Sequence, residues 1–241
     1  MNNGSPYIPP QRWGLYRPVI EDVQRAGLRF ALGGGFAYSV YARRPRDTRD
    51  IDLFVRPQDR EKLIRRVNAL GFEDYHSRLP YDRSWIYRGY REGMIVDVIW
   101  QMVNRVSQVD DQWLDRAVEF NIHALPVRVL AVEELVWSKL YVLQRDRCDW
   151  PDLLSLLASQ GPRIDWPHLL RIVDSDAALL GGVLSVFKWL CPAEASLLPA
   201  WIWPQMNLLP PEGEAPCESK GRRAALLDSR DWFGPIAEAS S

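Results

Sequence analysis

The sequence predicts an α/β (α+β) protein, a mixed sheet flanked by helices and followed by a helical C-terminal part. Three observations carry this. Up to residue 130, short apolar runs alternate with stretches of helical period. Within that region, ALGGGFAYSVYA breaks an apolar strand on three glycines and restarts as a helix. From residue 149 the pattern is helical, marked by DWPDLL (149–154) and its echo DWPHLL (165–170). In each, Pro occupies a first turn where its missing N–H costs nothing, and Asp stands where it can cap the helix.

Taken in order, a helix is expected over 17–26, with Glu21 and Asp22 in its early turns, and a strand over 29–33. A helix over 35–42 and a strand over 50–55 follow. Pro57 opens a helix that runs to Leu70 and is closed by Gly71. Strands are expected at 72–76, 84–90 and 94–100, the last two joined as a hairpin at Arg91-Glu92-Gly93. Residues 110–119 read as helix, 126–130 as a short strand, and 131–146 and 176–190 as helices. Beyond Cys191, prolines, aromatics and charges alternate without a sustained period, which predicts an extended or partly disordered tail over 191–241.

Composition sets the outer bounds. The 241 residues are 47% hydrophobic and 25% charged, with a formal net charge of −1. That balance excludes a protein driven onto nucleic acid by bulk charge, while allowing a local basic patch. The N-terminus, MNNGSPYIPPQRWG, lacks an apolar signal core, and no window approaches membrane-spanning length. Cys148, Cys191 and Cys217 are odd in number and lack zinc-ligand spacing, so reduced thiols in a cytoplasm are expected.

The chemistry concentrates in two strands. Asp50 and Asp52 interrupt an otherwise apolar strand, where Asp is a poor strand former and an unpaired buried carboxylate costs several kcal/mol. Alternation puts both on one face, with Ile51, Leu53 and Val55 on the other. Two carboxylates about 7 Å apart along a strand suit a hard divalent cation. Upstream, Gly33-Gly34-Gly35 places backbone N–H groups at a helix N-terminus, where the dipole favours an anion. Asp97, alone in the apolar strand MIVDVIW, can supply a third carboxylate and accept a proton from an attacking hydroxyl. A solvated edge-strand position explains any one of these aspartates; three with a glycine turn point to a site for a nucleoside triphosphate and Mg²⁺.

Strand, Gly-Gly, helix, Asp-x-Asp in a strand and a distant strand Asp resemble the DNA polymerase beta-like nucleotidyltransferases. Within that superfamily, GGGFAYSVYARRPRDTRDIDLFV is most similar to AbiEii-type toxins and related bacterial nucleotidyltransferase proteins. VEELVWSKLYVLQRDRCDWPDLLSLL is similar to their downstream helical segment, and the likeness spans roughly residues 15–175. By position, the resemblance implies phosphate contacts from Gly34 and Gly35, metal contacts from Asp50 and Asp52, and a third carboxylate from Asp97. It also implies a nucleotidyltransferase fold, with a catalytic domain over 15–130 and a helical domain over 131–190. Two features depart from the pattern: Gly35 stands where many members carry Ser, and the Gly35–Asp50 segment is long.

Other candidates carry two readings each. Arg43, Arg44, Arg46 and Arg49 precede the carboxylates and suit either triphosphate or RNA guidance, or a solvated loop pairing with Asp47. Thr48 can steady that turn. The resemblance places Lys139 near the nucleotide; an ion pair with Asp149 or Asp152 is the alternative. His76, His123 and His168 lack ligand spacing and read as incidental.

The function expected is Mg²⁺- (or Mn²⁺-) dependent transfer of a nucleoside monophosphate from a nucleoside triphosphate to an acceptor hydroxyl. The acceptor is left open among tRNA, a protein and a small molecule. The resemblance implies a toxin–antitoxin or phage-defence setting with an antitoxin partner. The competing expectation is a nucleotide-binding or antitoxin module of the same fold without turnover.

Overall fold

The computed structural model describes residues 2–46, 48–105, 107–145, 147–211 and 217–227. The chain forms two compact units, the first ending at Ala131 and the second beginning at Val132. Among the described residues no helix is long and apolar enough to cross a membrane.

The first unit contains, in chain order, β1 (Asn2–Asn3), α1 (Pro10–Arg25), β2 (Ala31–Leu32), α2 (Gly34–Ala42), β3 (Asp50–Phe54) and α3 (Arg60–Ala69). It continues with β4 (Glu73–Asp74), β5 (Ile86–Arg91), β6 (Met94–Ile99), α4 (Asp111–Arg116), β7 (Val118–Ile122) and β8 (Leu125–Val129). The strands form one eight-stranded mixed sheet in the order β1-β7-β8-β2-β3-β6-β5-β4. β3 lies centrally, parallel to β6 and antiparallel to β2. One face of this centre is apolar and fully buried, with Ile51, Leu53, Val96 and Val98 all at 0% exposure. α3 covers that face: Val67 approaches so closely to Gly89 that a Cβ there would stand 3.0 Å from its side chain. The opposite face carries the aspartates.

Two elements depart from the sequence reading for tertiary reasons. α1 begins at Pro10, well before residue 17, and carries Pro18 inside it. Trp13 and Tyr16 extend the buried stripe of Val19, Ile20 and Val23, and both pack against Phe36 of α2, with centroids 6.0 and 5.8 Å apart. That contact compensates for the interior proline. Residues 118–119, expected as the end of a helix, instead open β7, which pairs antiparallel with β8. The turn between them places His123 and Ala124 at φ 46° and 64°. Tight hairpin turns of that shape usually advertise themselves as Asn-Gly or Asp-Gly. Here His123 is anchored instead, its backbone N–H donating to Ser5 Oγ (2.8 Å) and its ring Nε2 lying 2.6 Å from the Ile8 carbonyl.

The second unit is helical: α5 (Val132–Leu140), α6 (Trp150–Gln160), α7 (Trp166–Val173), α8 (Ala177–Leu190), α9 (Pro192–Ala195), α10 (Ile202–Gln205) and α11 (Cys217–Leu227). α5 is shorter than the expected 131–146, because the chain turns back into an antiparallel bridge between Leu143 and Cys148. The expectation of an extended tail from 191 is corrected over the described residues. Two short helices form directly after α8, and Leu198, Ile202 and Trp203 are buried at 4%, 0% and 1% exposure. Aromatic and aliphatic side chains spaced by prolines pack here as short turns, a pattern without the period of a long helix. The rest of that tail, 212–216 and 228–241, lies outside the described residues.

Candidate active site

β3 and β6 run parallel in a register that sets Asp52 directly beside Asp97. Strand alternation adds Asp50 to the same face. One carboxylate oxygen from each of Asp50, Asp52 and Asp97 lies within 4.8 Å of the others. Asp97 is 1% exposed, while Asp50 and Asp52 are half-buried. Hard oxygen donors at this spacing, with partial access from solvent, fit a divalent cation.

The glycine turn is fitted to these carboxylates. The Gly33 N–H donates to the Asp52 carbonyl at 3.0 Å, so α2 starts level with Asp52. Gly34 has φ 52°, and a Cβ there would stand 1.7 Å from Asp52 Oδ2. Only glycine meets both demands. At Gly35 a Cβ would stand 2.9 Å from the Thr48 Cβ, so that space already belongs to Thr48. Thr48 Oγ1 in turn donates to Asp50 Oδ1 at 2.5 Å and orients that carboxylate. The glycines therefore seat Asp52 and Thr48 directly, while the first N–H groups of α2 lack intrahelical acceptors, as at any helix start.

Two further residues complete the site. Arg88 lies directly opposite Asp97 across the β5–β6 hairpin. Its Nε donates to Asp97 Oδ1 at 2.8 Å and its Nη2 to Oδ2 at 2.6 Å. The hydrogen bonds to Asp97, together with the charges of Asp97, Asp50 and Asp52, outweigh the cost of burial and raise the Arg88 pKa. Val96 and Val98 flank Asp97 along its own strand, which disfavours the alternative to a catalytic role, pairing with a nearby Arg inside the strand layer. The structure supplies such an Arg from the neighbouring strand. The hairpin register carried the signal: counted back across Glu92-Gly93, position 88 falls opposite 97. Tyr16, from α1, donates its hydroxyl to the Arg49 carbonyl at 2.7 Å and fixes the chain just before Asp50. Burial, reinforced by the charges of Asp50 and Asp97, raises the Tyr16 pKa.

The remaining candidates fall elsewhere or play other parts. The Arg49 side chain is exposed, and Arg46 lies over the Tyr38 ring at 5.3 Å. Asp47, the expected partner of the loop arginines, lies outside the described residues. Lys139 belongs to the second unit, where it is 5% exposed and donates to Asp149 (3.0 Å) and Asp152 (2.6 Å). The structure thus gives its ammonium to the ion pair that the sequence offered as the alternative to nucleotide contact. Asp149, expected as a helix cap, makes no cap hydrogen bond because its carboxylate faces Lys139 and Arg147. Its counterpart Asp165 does cap α7, accepting from the His168 N–H at 3.1 Å. His168 itself is buried against Glu134, with Nε2 2.7 Å from Oε1.

The fold points to one class of protein, the nucleotidyltransferases. The chain belongs to a family described as uncharacterised nucleotidyltransferases, whose model matches residues 17–178. Among solved structures, it is similar to an antigenic nucleotidyltransferase-like protein from Paracoccidioides brasiliensis: 18% identity over 79% of this chain and 95% of that one, TM-score 0.52. The antibiotic-resistance factor ANT(2'')-Ia matches at 19% identity over 74% of this chain and 91% of that one, TM-score 0.44. The lincosamide antibiotic adenylyltransferase LnuA in its lincomycin-bound form matches at 14% identity over 62% of this chain and 97% of that one, TM-score 0.44. Comparison with curated proteins gives no match.

Proposed function

We propose that this nucleotidyltransferase moves a nucleoside monophosphate from a nucleoside triphosphate to an acceptor hydroxyl, with Asp50, Asp52 and Asp97 as its catalytic carboxylates. The observation that carries the reading is their gathering within 4.8 Å, against a glycine turn that leaves room for Asp52. Asp50 and Asp52, with Asp97 beside them, would hold Mg²⁺ or Mn²⁺. When bound, that ion supplies charge neutralisation for the phosphates and the leaving pyrophosphate. Asp97 accepts the acceptor's proton as its oxygen bonds to the α-phosphorus. The bond from that phosphorus to the bridging oxygen breaks, and pyrophosphate leaves. Gly34 and Gly35 offer backbone N–H groups at the start of α2 to the phosphates, and the exposed Arg49 side chain adds positive charge at the rim.

The setting proposed is a toxin–antitoxin or phage-defence system with an antitoxin partner, supported by the motif resemblance alone. The acceptor is a hydroxyl of RNA, protein or a small molecule. Incubation of the full chain with each labelled triphosphate, Mg²⁺ and fractionated cell RNA, protein and metabolites assigns both base and acceptor. Label in one fraction, abolished by Asp52→Asn, is the expected outcome. A wild type that gains no thermal stability from saturating Mg²⁺ and triphosphate would show the nucleotide site to be misassigned.

A further inference from the structure

We propose that Arg88 is a built-in counter-ion and positioning residue for Asp97, standing in for one positive charge in the carboxylate cluster and thereby setting its divalent-ion affinity. The inference rests on the metal-dependent reading above and deepens it. Arg88 and Asp97 face each other across the hairpin, and both carboxylate oxygens are engaged by one planar guanidinium. The Asp97 side chain is 2% exposed, whereas that of Arg88 is 30% exposed.

Three carboxylates this close repel one another, and the Arg88 charge held against Asp97 offsets part of that repulsion. With Arg88 included, the formal charge of the cluster falls from −3 to −2, which a single divalent ion balances. Paired with Arg88, Asp97 still keeps one carboxylate oxygen within 4.8 Å of those of Asp50 and Asp52. The guanidinium fork also fixes the plane of the carboxylate, which a lysine ammonium cannot do. Arg88 therefore sets two properties through Asp97: the field felt by an incoming cation, and the direction in which the Asp97 oxygens point.

The test uses the full chain with Mg²⁺ alone as probe, read by calorimetric titration and by the unfolding temperature with Mg²⁺ or chelator. Arg88→Gln should bind Mg²⁺ at least ~10-fold more tightly than wild type, since a positive charge within hydrogen-bond reach of the cluster is removed. It should also be less stable in chelator and gain more from Mg²⁺ than wild type does. Arg88→Lys, which keeps the charge and loses the fork, should keep wild-type Mg²⁺ affinity while nucleotide transfer falls at least ~10-fold. An Arg88→Gln protein that binds Mg²⁺ no better than a responsive wild type overturns the inference alone, as does one that stays unfolded in saturating Mg²⁺. Undiminished transfer by Arg88→Lys overturns the positioning role. A wild type without any Mg²⁺ response overturns the metal reading itself, and this inference with it.

Discussion

Asp52 meets a carboxylate on the neighbouring strand and an absent side chain at Gly34, and both contacts bear on what substitution will do. Asp50→Asn or Asp52→Asn should lower turnover by at least ~10²-fold, comparable to losing a major electrostatic contributor. In the absence of metal, the same variants should unfold at or above the wild-type temperature, because like charges are relieved. Steady-state transfer and thermal unfolding in chelator check the two halves. Gly34→Ala is expected to act through Asp52: its Cβ would stand 1.7 Å from Oδ2, on a backbone with φ 52°. About 1–3 kcal/mol of stability should be lost, together with Mg²⁺-induced stabilisation. Denaturant unfolding with and without Mg²⁺ reads both. Gly35→Val would press instead on Thr48, and so would misdirect Asp50. The aspartates were legible because carboxylates violate the preferences of an apolar strand. Arg88 was legible only through the register of the β5–β6 hairpin, since Arg on a half-exposed strand breaks no local rule, and Tyr16 on its helix face was not legible at all.

Elements show the same division. The β5–β6 hairpin was legible from Glu92-Gly93, which takes φ 48° and 84° in the structure. β7 was not, since its turn is stabilised by Ser5 and Ile8 rather than by its own residues. α6 and α7 begin with near-identical strings, yet Asp165 caps its helix and Asp149 pairs with Lys139. Lys139→Met should therefore cost roughly 3–5 kcal/mol, because it removes the buried cation that Asp149 and Asp152 share. The pH dependence follows from Asp149. Burial alone would raise its pKa, but the Lys139 charge, with Arg147, holds it below the usual range. A carboxyl depressed in the folded state contributes stability that is present above its unfolded pKa and is lost as pH falls through the folded value. The stability gap between variant and wild type should therefore hold steady from about pH 7 to about pH 4 and narrow below about 4, as the wild type loses the Asp149 contribution. Urea unfolding across that range checks it; a gap independent of pH would exclude the buried pair as its source.

At the scale of the whole molecule, the stretch after α8 decides how much chain the second unit needs. Leu198, Ile202 and Trp203 are buried, and Leu198 lies close enough to Gly161 that a Cβ there would stand 2.8 Å away. A chain ended at residue 190 should lose about 5 kcal/mol or more of apolar burial. It should show early unfolding or aggregation, whereas a chain ended at 211 should keep those three side chains protected. Hydrogen exchange and thermal unfolding of the two truncations separate these outcomes.

The sequence by itself determined the alternation of strands and helices, the glycine turn and the face shared by Asp50 and Asp52. Each follows from rules that act within a few residues: side-chain period, backbone freedom and the cost of charge in a strand. Tertiary structure decided that Asp52 lies beside Asp97 and that Arg88 holds Asp97. It also decided that Thr48 fills the space at Gly35, and that Lys139 is committed to Asp149 and Asp152. Those partners are brought together by strand register and helix packing. Charge pairing is set by which side chains become buried next to one another, and that is fixed only once the sheet and the helices have assembled.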